Sequence, residues 1–104
     1  MSHELAEKTA GLASRVNNLA VKQTGDSCRQ LLSQQDKLIK LEMAVIVQNL
    51  DCEKPAYQKA IDGLNKAIKA VEAADKDISK VADAIKRVKQ AIDVITKALE
   101  ATVA

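Results

Sequence analysis

Aromatic residues are almost absent from this chain. Among its 104 residues there is no Trp and no Phe, and the single Tyr is Tyr57. Aromatic side chains usually supply much of the buried area of a core, so Leu, Ile, Val and Ala must supply it here. A core of these residues is thin, and we therefore expect association with a second copy or another protein to add buried surface.

Turn-forming residues are also few. Three Gly and one Pro are fewer than a β-sheet protein needs for its turns, whereas the abundant Ala, Lys, Leu and Gln favour helix. An apolar content of 47% with a net charge of +2 argues against disorder. The composition predicts one all-α domain over residues 1–104.

Long apolar runs and one-sided charge are missing as well. No run approaches the roughly 20 residues of a membrane-spanning helix, and the first residues lack the pattern of a signal peptide. We therefore expect a cytoplasmic protein, although the sequence leaves signal-independent export open. Basic and acidic residues number six and five in residues 1–50, and ten and nine in residues 51–104. Because neither half is basic, a nucleic-acid partner is not expected.

Residues that support catalysis or metal binding are scattered. His3 is the single histidine, and no cysteine stands near it at ligand spacing, so a zinc site is not supported. Cys28 and Cys52 lie near opposite ends of one predicted helix, about 36 Å apart, which is too far for a disulfide. No glycine-rich phosphate loop or nucleophile motif occurs. We predict no enzyme, no catalytic or metal-binding residue and no cofactor.

The second half of the chain has a seven-residue repeat of large residues. Its members are Tyr57, Leu64, Val71, Ile78, Ile85, Ile92 and Leu99. This period is typical of helices that pack side by side, so we expect heptad-like packing over residues 57–102. Alanine follows the same period, which indicates either a close contact within the chain or a second face for another chain.

Two helix boundaries are clear and a third is open. Gly25 interrupts the pattern between helices predicted at about 4–23 and 28–50, with Ser27 as a capping residue. Pro55 suits the start of the next helix. Near Asp77 the heptad repeat continues without a slip, yet Asp77 is itself a good cap for a new helix. We predict an antiparallel bundle of three or four helices, or a long helical hairpin that dimerises.

Two apolar segments are candidate interfaces because their residues exceed what one core-facing stripe needs. The candidate residues are Leu41, Met43, Val45, Ile46, Ile85, Ile92 and Leu99. We predict a non-enzymatic interaction or assembly protein that forms a homo-oligomer, most simply a dimer, and packs its helices on a protein partner. A regulator, chaperone, inhibitor or secretion-associated protein fits this description. The alternatives are a lipid or membrane-surface binder and a nucleic-acid-binding architectural protein.

Overall fold

The computed structural model describes residues 3–48 and 50–101, and within them the chain forms four α-helices and no strand. A short 3-10 helix, Ile78–Lys80, precedes the last of them. The α-helices are α1 (His3–Ala20), α2 (Gly25–Gln48), α3 (Pro55–Lys76) and α4 (Val81–Ala101). The prediction of an all-α helical bundle is therefore confirmed.

Each helix packs against two neighbours. Helix α1 contacts α2 and α3, whereas α4 contacts α3 and α2, so that α1 and α4 lie at opposite corners of the bundle. Near the start of both α1 and α3 the Leu5 N–H donates to the Tyr57 hydroxyl, and Lys22, two residues after the end of α1, forms an ion pair with Asp75 near the end of α3. These two helices are therefore parallel. Helices α2 and α3 occupy the other two opposite corners, and the bundle measures 40 × 19 × 19 Å.

Large and small side chains alternate along the contact between α3 and α4. The buried set at three- and four-residue spacing in α3 is Tyr57, Ala60, Leu64, Ala67, Val71 and Ala74. The equivalent set in α4 is Val81, Ala84, Val88, Ala91, Ile95 and Ala98. A β-carbon added at Gly63 would lie 2.8 Å from Val94 Cγ2. The alanine repeats thus serve close packing within the chain, not a second face for another chain.

Leucine dominates the other half of the core. The large apolar residues that α1 and α2 bury are Leu5, Leu12, Val16, Leu19, Leu31, Leu38 and Val45. Two buried polar side chains accompany them. The Thr9 hydroxyl donates to the carbonyl of Leu5 at 2.7 Å, whereas only one end of the Gln34 amide has a partner.

The first two helix boundaries are close to their predicted positions. Pro55 is the first residue of α3, as predicted. Gly25 has a φ of +65°, a left-handed conformation that glycine adopts without cost. It is also the first residue of α2, so this helix begins earlier than predicted and Ser27 lies inside its first turn. The prediction of Ser27 as the capping residue is wrong.

The third boundary is real, so the alternatives of one fused helix and of a long hairpin are wrong. Asp77 is extended, with φ −143° and ψ 104°, and its carboxylate accepts hydrogen bonds from the backbone and hydroxyl of Ser79. This cap starts the 3-10 helix and reverses the chain. The same hydrogen bonds hold the pKa of the Asp77 carboxyl below its ordinary value.

The reversal also shifts the heptad register, which the sequence pattern had concealed. Ile78 belongs to the predicted repeat but is 71% exposed, and Ile85 and Ile92 are only half-buried. The core-facing line of α4 instead starts at Val81 and continues through Val88. Heptad-like packing therefore holds within α3 and within α4 but not in one register across both. Residue 102, the predicted end of this packing, lies outside the described residues.

Candidate interaction surfaces

An apolar stripe runs along the side of α2 that faces away from the bundle. Leu32, Ile39 and Ile46 recur every seven residues, and Met43 follows Ile39 by one turn, so they share a face. Between 42 and 82% of each residue of the stripe is exposed. We call this surface the outer stripe, defined by Leu32, Ile39, Met43, Ile46 and Val47.

The outer stripe is a cluster and not a scatter of single residues. Seven large hydrophobic residues are exposed in the described part of the chain, and five of them lie in this stripe. Single exposed apolar residues are ordinary on protein surfaces, whereas a contiguous apolar patch marks an interaction site. Asp36 lies on the same helix face, one turn after Leu32 and one turn before Ile39, and its carboxylate forms an ion pair with Lys40 at 3.1 Å.

A second surface feature is a groove between the parallel helices α2 and α4. Its wider part has a volume of about 430 Å³. The residues that line this part are Arg29, Gln30, Ser33, Gln34, Lys37, Ile85, Lys89, Ile92 and Asp93. A narrower part of about 240 Å³ extends from Lys37 and Ile92 to Leu41 and Thr96. The two parts share Lys37 and Ile92, and together they form what we call the α2–α4 groove.

Gln34 is the unusual residue of the α2–α4 groove. It is only 9% exposed, and its Nε2 donates to the carbonyl oxygen of Ile85 at 2.9 Å. Its Oε1 is buried and has no hydrogen-bond partner in the described part of the chain. A buried acceptor without a partner destabilises a protein by about 1–3 kcal/mol. Gln34 is therefore placed where a leucine would serve the core better.

The structure divides the seven predicted interface residues among three places. Met43 and Ile46 lie on the outer stripe, where they are well exposed. Leu41, Ile85 and Ile92 are half-buried in the α2–α4 groove.

The remaining two predicted residues are in the core. Val45 is fully buried and Leu99 is 8% exposed, so neither is available on the surface of the folded bundle.

Sequence reasoning missed Leu32, Ile39 and Gln34 as surface or groove residues. A signal for the first two was present: adjacent apolar pairs recur every seven residues in α2, at 31–32, 38–39 and 45–46. Adjacent helical residues are about 100° apart, so one member of each pair faces the core while the other faces solvent. No comparable signal identified Gln34, because a glutamine at a core position looks like any surface glutamine.

The ionisable side chains form no metal-binding group in the described residues. No group of three or more His, Cys, Asp or Glu side chains there is placed to hold a metal ion, and His3 is exposed. Glu42, the one charged residue between Leu41 and Val47, is half-buried. The Tyr57 hydroxyl accepts a hydrogen bond from the Leu5 backbone, as expected of a packing residue. Burial raises the pKa of this phenol, although that hydrogen bond acts in the opposite direction.

Comparisons with known proteins identify no relative, so the function is inferred from these surfaces alone. The chain matches no protein-family model, and it has no significant match among curated proteins or solved structures. Among the described helices, none is both long enough and apolar enough to cross a lipid bilayer.

Proposed function

We propose that this chain is a non-enzymatic helical interaction protein that forms a dimer through the outer stripe of α2. The observation that supports the proposal is the concentration of exposed large apolar residues on that one helix face. The protein partner, the assembly role and the cytoplasmic location expected from the sequence belong to the same proposal. The dimer is its most specific part and the part that is tested first.

The stripe is large enough to drive a moderate association. Its exposed fractions amount to about three fully exposed aliphatic residues. Burial of one such side chain is worth about 1.5–3 kcal/mol, so two stripes together provide at most about 9–17 kcal/mol. A micromolar dimer requires about 8 kcal/mol net, and association itself costs about 4 kcal/mol or more. The two stripes must therefore provide about 12 kcal/mol or more, which lies in the upper part of this range. We therefore expect a dissociation constant on the order of micromolar.

The spacing of the stripe suits contact with a copy of itself. Leu32 and Ile46 each lie seven residues from Ile39, so the stripe is nearly symmetric about Ile39. In an antiparallel pairing of two α2 helices, Ile39 meets its own copy and Leu32 meets Ile46 of the other copy, as a two-fold interface requires. Asp36 of one copy then lies near Lys40 of the other, which gives favourable charge contacts along one edge.

The test is the mass of the protein in solution as a function of concentration. Sedimentation velocity should show the wild type changing from monomer to dimer across the micromolar range. Ile39→Asp and Met43→Asp each place a carboxylate in the stripe and should leave a monomer at all these concentrations. The matched control is Val21→Asp, because Val21 is 72% exposed but lies outside α2; it should dimerise normally.

Circular dichroism separates loss of association from loss of fold. Both stripe variants should keep the helical content of the wild type, since these side chains face solvent in the bundle. A wild type that stays monomeric well above micromolar concentration contradicts the proposal. So does a folded Ile39→Asp variant that dimerises as well as the Val21→Asp control.

Cross-linking tests the orientation of the dimer. In a chain without its natural cysteines, Leu32→Cys combined in one mixture with Ile46→Cys should give a disulfide between the two different variants. Leu32→Cys alone should cross-link poorly, because its own copies are far apart in an antiparallel pairing. The opposite result indicates parallel α2 helices.

A further inference from the structure

We propose that the α2–α4 groove binds an organic anion that has an apolar body and a hydrogen-bond donor. This inference does not depend on dimer formation. The outer stripe and the groove lie on different sides of α2, and none of the residues that define the stripe lines the groove. The groove therefore remains open when two stripes pair.

The floor and the size of the groove fit a small molecule. Ile85 and Ile92 form an apolar floor one heptad long, about 10 Å along α4. The wider part, about 430 Å³, lies within the usual range of small-molecule sites, roughly 300–1,000 Å³. Two half-buried isoleucines at such a floor favour flat or aliphatic ligand groups over fully hydrated ones.

The rim of the groove has an excess of positive charge. Lys37 projects from α2 and Lys89 from α4, and neither forms an ion pair with the described residues. Arg29 also lines the groove but pairs with Asp26. The one acidic side chain in the lining is Asp93, so two unpaired ammonium groups face one carboxylate. This balance favours an anionic ligand group placed between the two lysines.

Gln34 is the reason why the ligand should carry a hydrogen-bond donor. Its Nε2 is held by the Ile85 carbonyl, which leaves Oε1 as an acceptor without a partner at the base of the groove. The last torsion of a glutamine side chain is broad, so rotation of the amide turns Oε1 toward the groove and lengthens the Nε2 hydrogen bond to Ile85. A ligand N–H or O–H would then satisfy the acceptor. Polar groups of this kind, few and placed in an apolar site, are what orient a bound small molecule.

The test uses 2-anilinonaphthalene-6-sulfonate, which combines apolar rings, a sulfonate and an N–H. Two matched probes each lack one feature: 2-anilinonaphthalene has no sulfonate, and 2-phenoxynaphthalene-6-sulfonate has an ether oxygen in place of the N–H. Binding is measured by amide chemical-shift changes in ¹⁵N-labelled protein, because these changes also locate the probe. We expect shifts centred on Ile85 and Ile92, and roughly tenfold weaker binding of each matched probe.

Charge variants test the rim. Lys37→Gln and Lys89→Gln should each weaken binding of the sulfonate probe roughly threefold to tenfold and leave binding of 2-anilinonaphthalene unchanged. Asp93→Asn should tighten binding of the sulfonate probe. The control is Lys59→Gln, since Lys59 is exposed on α3 and lines neither part of the groove; it should have no effect.

A variant of Gln34 tests the donor. In Gln34→Leu the N–H and ether probes should bind equally well, because the acceptor that distinguishes them is gone. The inference is overturned if the shifts fall only on the outer stripe, or if the lysine variants bind the sulfonate probe as the wild type does. It is also overturned if Gln34→Leu still prefers the N–H probe. The Ile39→Asp monomer should bind the probes normally, so failure of the dimer and failure of the groove are distinguishable.

Discussion

Replacement of Gln34 by leucine should stabilise the bundle. The wild-type side chain makes one hydrogen bond, from Nε2 to the Ile85 carbonyl at 2.9 Å, and buries Oε1 without a partner. Loss of the hydrogen bond destabilises the fold by about 1 kcal/mol, whereas removal of the unpaired acceptor stabilises it by about 1–3 kcal/mol. Ile85 lies inside α4, so its carbonyl keeps its intrahelical partner. We expect a net gain of about 1 kcal/mol in the free energy of unfolding.

Urea denaturation followed by circular dichroism measures this gain. The midpoint should rise with an unchanged slope, and the melting temperature should rise by about 4–8 °C per kcal/mol for a domain of this size. Gln35→Leu is the control, because Gln35 is adjacent but less buried; its effect should stay within about 0.5 kcal/mol. A Gln34→Leu variant that is destabilised by about 1 kcal/mol or more would refute the reasoning.

Two further predictions concern packing inside the bundle. The Leu5 N–H donates to the Tyr57 hydroxyl at 3.2 Å, so Tyr57→Phe leaves this N–H buried without a partner. We expect the substitution to destabilise the fold by about 1–2 kcal/mol in urea denaturation. An unchanged midpoint would contradict this. Gly11→Ala should stabilise by about 0.5–1 kcal/mol through helix propensity. Gly63→Ala should lose that gain or destabilise, because its β-carbon would lie 2.8 Å from Val94 Cγ2; equal effects of the two substitutions would show that α3 and α4 are not closely packed there.

The helical class and most helix boundaries follow from local sequence features. Pro55 fixes the start of α3 because its ring suits the first turn of a helix and no deeper position. Gly25 marks the turn between α1 and α2 because its φ is positive. Both constraints concern a few neighbouring atoms, so they are visible in a single sequence.

The register of α4 did not follow from the sequence, because it depends on the path of the chain at Asp77. The seven-residue repeat continues through Ile78 by coincidence, while the reversal turns Ile78 to solvent. A competing stripe that begins at Val81 was visible, but periodicity alone does not tell which of two apolar stripes faces a core. Only the position of the neighbouring helices decides this.

The surfaces were predictable in part. Met43 and Ile46 were identified from an apolar excess, and the structure places them on one exposed face. Val45 has the same apolar character but lies on the core-facing side of the same helix, and it is buried. The role of Gln34 requires the position of Ile85 on another helix, which is information that one sequence does not contain.

The most direct test of dimer formation through α2 is the mass of the wild-type chain by sedimentation velocity beside that of Ile39→Asp and Val21→Asp. The account predicts a dimer for the wild type and for Val21→Asp, and a folded monomer for Ile39→Asp, at the same concentration. Equal masses for all three folded proteins would contradict it.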